Sequence, residues 1–126
     1  MADVTVTVNN LTAINANAEV TASPATEDTI TTAQKFNITP TKAGHALLLT
    51  MGIAGVNGKV TYSAAAGMLG KEIAGEIPEG KTVALVLDDG FVKDKSGVIA
   101  ITFTPATGKT LKTNHALTVT AVQLPA

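Results

Sequence analysis

The chain has 126 residues, 45% hydrophobic and 15% charged, with a formal net charge of −1. It contains no cysteine, which excludes disulfides and thiol chemistry and fits synthesis in a reducing cytosol. Its near-neutral balance supplies no basic field to attract a phosphate backbone, so nucleic-acid binding is not expected.

The length predicts one domain, and such a chain can bury roughly two-thirds of its unfolded surface without a disulfide or metal. Val4, Val6 and Val8 alternate with Thr5 and Thr7, the period of a half-buried strand, and Asn9-Asn10 reads as its end. Residues 11–28 are rich in Ala, Asn, Thr and Glu, contain Pro24, and have weak periodicity. Residues 1–28 are therefore expected to be a partly irregular N-terminal strand or arm, and residues 29–126 the core of the same domain. A strand is predicted over 30–39, with Phe36 and Ile38 inward, then a turn at 41–44. Residues 46–51 are apolar enough for a central strand. Asn57-Gly58 is the strongest hairpin signal and would fold 59–63 back as the partner strand.

Residues 64–70 combine helix-favouring alanines with two glycines, and a loop with one helical turn is expected. A short strand should end at Pro78, followed by a Glu79-Gly80 turn. Across 82–87, Val83, Leu85 and Leu87 alternate with Thr82, Ala84 and Val86, giving another strand. Asp88-Asp89-Gly90 turns the chain, and the last two strands are predicted over 98–104 and 116–124.

Two segments echo each other. Phe36-Asn37-Ile38-Thr39-Pro40 followed by His45-Ala46-Leu47-Leu48-Leu49-Thr50 matches Ile101-Thr102-Phe103-Thr104-Pro105 followed by His115-Ala116-Leu117-Thr118-Val119-Thr120. Each reads as a hairpin of strand, Thr-Pro stop, turn and strand, because proline cannot donate to a sheet ladder. Strands recurring every 8–15 residues predict an all-β fold. A single-domain antiparallel β-sandwich of Ig-like or Greek-key type is preferred, with a small β-barrel as the alternative.

No catalytic signature sits on this frame, and no enzyme activity, cofactor or metal is expected. His45 and His115 hold equivalent positions, yet no carboxylate lies within four residues of either to complete a metal site. Asp88, Asp89 and Asp94 are the densest carboxylates, but Lys93 and Lys95 interleave and calcium-loop spacing is missing. Glu72, Glu76 and Glu79 read as solvated surface rather than an acid/base pair. Ser23, Ser63 and Ser96 lie in no nucleophile elbow, and Gly67-Met68-Leu69-Gly70-Lys71 lacks the spacing of a phosphate loop. Four aromatics, Phe36, Tyr62, Phe91 and Phe103, are few for a sugar-stacking or single-strand-binding platform. Met1-Ala2-Asp3 has no basic start, so no secretory leader is expected, and no apolar run approaches the roughly 20 residues of a membrane helix.

The 36–42 and 45–49 segments, Gly80-Lys81-Thr82-Val83-Ala84-Leu85-Val86-Leu87-Asp88, and the closing 115–119 and Leu124-Pro125 together resemble small β-sandwich proteins from the structural gene clusters of tailed bacteriophages and prophages. These look like head decoration, or cement, subunits, and the resemblance spans roughly residues 30–125. It implies a non-enzymatic virion protein on the capsid exterior, made in the host cytoplasm, with the major capsid protein as partner. Segment 2–28 is the expected docking element, and self-association is compatible. An Ig-like adhesion or glycan-binding module and a phage tail subunit are the alternatives.

Overall fold

The computed structural model describes residues 3–13, 17–24, 29–30, 33–41, 46–53, 58–65, 72–87, 97–106, 111–112 and 117–125. Twelve strands and no helix occur among them: β1 (Val4–Thr5), β2 (Val8–Asn10), β3 (Ser23–Pro24), β4 (Thr29–Ile30), β5 (Gln34–Ile38), β6 (Leu47–Ile53), β7 (Val60–Ala64), β8 (Ile73–Ile77), β9 (Thr82–Leu87), β10 (Ile99–Pro105), β11 (Leu111–Lys112) and β12 (Leu117–Gln123). The first sheet runs β1-β5-β10-β7-β8 and the second β2-β12-β6-β9, with β3 also pairing β12. A short ribbon joins β4 to β11. The sheets are open, so the expected β-sandwich is present and the barrel alternative is not.

The alternation read in the sequence becomes the interior. β6 turns Leu47, Leu49, Met51 and Ile53 inward, β10 turns Ile99, Ile101 and Phe103 inward, and β12 adds Leu117, Val119 and Ala121. Burying each large side chain of this set contributes about 1.5–3 kcal/mol. Phe36 and Phe103 meet edge-to-face at 5.1 Å between ring centroids, and Tyr62 lies 6.4 Å from Phe103.

Consecutive long strands mostly change sheet rather than pair. β3-β12-β6-β9 packs on β5-β10-β7-β8, and every neighbouring pair within these two sets is antiparallel. This is the strand order of two interlocked Greek keys, a jelly roll. In the immunoglobulin order the last two strands share a sheet; here β10 and β12 lie in opposite sheets.

Two expectations are corrected by this order. β6 and β7 flank Asn57-Gly58 but belong to different sheets, so no hairpin forms there. Gly58 does adopt the positive φ, 74°, that its turn signal implied, and Gly80 follows at 71°. Asn57 and residues 66–70 lie outside the described residues. The echoing segments are likewise arches between sheets, not hairpins. β5 is the antiparallel neighbour of β10, and β6 of β12. Phe36 pairs with its own counterpart Ile101, and Thr50 with its counterpart Thr120. In each sheet the two echoing strands are thus antiparallel neighbours, with matching positions opposite each other at these two pairs.

The start of the chain is part of the sandwich. Val4 and Val6 are buried in the core, β1 runs parallel to β5, and the chain then crosses to run parallel to β12 as β2. These two pairings make both sheets mixed instead of wholly antiparallel. Asn9 is not the turn residue expected of Asn9-Asn10. Its buried amide donates to the carbonyls of Thr21 at 3.0 Å and Ala121 at 2.9 Å, and its Oδ1 accepts from the Thr21 N–H at 2.8 Å. The buried Ser23 hydroxyl accepts from the Thr7 N–H, and the buried Gln123 Oε1 accepts from the Thr41 N–H. Three polar side chains thus fasten residues 7–9, residues 21–23 and Thr41 to one another and to the second sheet.

The β7–β8 edge is closed by one close approach. Gly75 faces Tyr62 across the pair, and a Cβ there would meet the phenol hydroxyl, with Cζ at 2.6 Å and Cε2 at 2.8 Å. Gly75→Ala should therefore displace the ring and cost about 1–3 kcal/mol, read as a lower urea midpoint. Gly75→Ala in a Tyr62→Ala background should lose much less.

Candidate interaction surface

None of the strands of the second sheet carries a charged residue. Its outer face follows from the register. Val122, Leu48 and Val86 form one row across β12, β6 and β9; Thr120, Thr50 and Ala84 form the next; Thr118, Gly52 and Thr82 the third. The face is apolar at one end and hydroxyl-bearing towards the other. Val86 is 60% exposed, unusual for a β-branched aliphatic in an ordered strand. The stretch 17–22, with Val20 49% exposed, borders the sheet where Asn9 holds Thr21 against β2 and β12.

The first sheet is different. Lys35 on β5 lies 4.0 Å from Asp3, whose carboxylate also accepts from the Asn37 amide at 3.0 Å. Glu76 on β8 pairs with Lys59 at 3.2 Å. Both ion pairs are solvent-exposed, so they contribute to solubility more than to stability. A shallow groove over β7 and β8 is lined by Thr61, Ser63, Ala74 and Glu76. It offers one carboxylate, already committed to Lys59.

The residues weighed for chemistry are dispersed. Glu72, Glu76 and Glu79 are all exposed, Ser23 is a buried acceptor for backbone, and Ser63 is half-buried on the first sheet's outer face. His45, His115, Asp88, Asp89, Asp94, Ser96 and the 67–71 segment lie outside the described residues. The strands that His45 and His115 precede begin at opposite ends of the second sheet, since Leu47 faces Gln123 and Leu117 faces Ile53. Six residues of strand separate those two entries, about 20 Å. Among the described residues no group of three metal-ligating side chains converges.

No protein-family model, curated protein or solved structure matches the chain. Sequence reasoning found the low charge but missed the surface, because the outer face is defined only once β9, β6 and β12 are placed side by side. Asn9 was missed for a similar reason: an Asn-Asn pair after a strand has the local signature of a turn.

Proposed function

We propose that the chain is a non-enzymatic virion structural protein, a phage head decoration subunit that binds the major capsid protein on the outside of the shell after synthesis in the host cytoplasm. The observation that carries this reading is the uncharged outer face of the second sheet. Depletion of charge marks the core of an assembly interface, whereas free surface keeps both signs interspersed, as on the first sheet. The jelly-roll order is shared by viral capsid domains and by lectins, so it is compatible with this reading without separating it from a carbohydrate-binding module.

The contact is the face bearing Val86, Leu48, Thr50 and Thr120, together with residues 17–22 of the N-terminal segment. The remainder of 2–28 serves the fold: Val4, Val6, Asn9 and Ser23 are all buried. Docking through this segment is therefore tested by surface substitution, since deletion would remove core residues.

Co-sedimentation with mature and immature capsids tests the proposal. Saturable binding at a fixed copy number per shell is expected, with a preference for mature shells if the subunit cements them after expansion. Failure to bind either shell, with selective retention on a glycan array, would replace this reading with a carbohydrate-binding module. Tyr62 is half-buried against Gly75, and no exposed aromatic platform exists among the described residues to favour that outcome.

A further inference from the structure

We infer that the outer edge of β9, which no other described strand pairs, is a self-pairing site, at which a second copy of this chain adds its own β9 antiparallel to form one sheet across a twofold dimer. The inference is independent of the capsid reading. Ile53 donates to the Lys81 carbonyl, and the register then directs the N–H and C=O groups of Val83, Leu85 and Leu87 towards β6. The N–H and C=O groups of Thr82, Ala84 and Val86 consequently face away from the sheet, on a strand that no other described strand pairs. Such rows of free backbone groups are templates for another strand.

The other edges are blunted. β1 has two residues, β2 has three, β3 has two and includes Pro24, and β8 carries Glu76 beside the chain-thinning Gly75. β9 has no charge, no proline and no glycine, and its six residues, Thr-Val-Ala-Leu-Val-Leu, are mostly β-branched or aliphatic. Edge strands of this kind either find a partner or aggregate.

The composition of β9 selects a copy of itself as the occupant. A twofold axis normal to the sheet at Ala84 places Ala84 against Ala84 of the second copy and Thr82 against its Val86. All three outward-facing residues then enter hydrogen-bonded pairs, giving about six backbone bonds. The smallest side chain sits at the axis, and β-branched Thr82 and Val86 pair on either side of it. In sequence, Lys81 precedes the strand and Asp88 and Asp89 follow it. Antiparallel pairing runs the end that Lys81 precedes beside the end that the two aspartates follow in sequence, whereas parallel pairing would run like ends together.

Sedimentation velocity of the full chain over about 1 µM to about 1 mM tests this, a range suited to an interface of small area. The wild type should pass from monomer to dimer. Val86→Lys, at an exposed position, should remain folded by circular dichroism and weaken dimerisation at least about tenfold. Thr82→Glu combined with Val86→Lys should restore it, because the substituted positions of opposite copies face each other in this register. A wild type that stays monomeric throughout would overturn the inference. So would a dimer that Val86→Lys leaves unchanged, or a double variant no better than the single.

Discussion

Asn9→Ala will lower the unfolding free energy by about 1–3 kcal/mol, the range for leaving a buried backbone group such as the Ala121 carbonyl unpaired. The substitution leaves the Thr21 N–H and the Thr21 and Ala121 carbonyls without the amide that now serves them. It also releases the strip of chain that Asn9 holds against β12. Asn9→Asp should cost at least as much. It keeps an acceptor for the Thr21 N–H but sets a carboxylate against two carbonyls that need donors. Urea unfolding followed by circular dichroism reads both effects. A midpoint within error of the wild type would mean that residues 21–24 are not docked on the second sheet.

Phe103→Ala should be larger still, about 3–5 kcal/mol, the cost of losing a buried ring and keeping part of its cavity. Phe103 is fully buried, abuts Phe36 edge-to-face and Tyr62 at a tilt, and pairs with Gln34 on one side and Tyr62 on the other. The chain has few aromatics to compensate. Thr104→Ala, one residue on and facing solvent, should stay within about 0.5 kcal/mol of the wild type. The contrast tests the register of β10, because a one-residue slip would exchange the two outcomes.

The fold was legible where a single strand's chemistry suffices. Period-two alternation placed Val83, Leu85 and Leu87 inward, Phe36 and Ile38 inward, and Pro78 at a strand end. The echoing segments turned out to lie side by side, β5 next to β10 and β6 next to β12. Partner choice was not legible. Gly58 takes its predicted conformation whether the flanking strands pair or cross between sheets, so the turn signal could not distinguish a hairpin from an arch. The same holds at the start of the chain. Val4 and Val6 are buried on one side of the run whichever sheet they join, and the switch from β5 to β12 leaves no mark on the alternation. The candidate surface was half legible: scarcity of charge is a property of composition, but its concentration on one sheet is a property of the pairing.

Capsid co-sedimentation of two matched variants tests the proposed role most directly. Thr120→Lys puts a charge on the outer face of the second sheet, and Thr102→Lys puts the same charge on the outer face of the first. A charge buried without a partner in an interface costs several kcal/mol. Thr120→Lys should therefore lose at least about tenfold in capsid affinity, while Thr102→Lys saturates at the wild-type copy number. Equal binding by both variants, with both folded, would contradict the assignment of the uncharged sheet as the capsid-binding face.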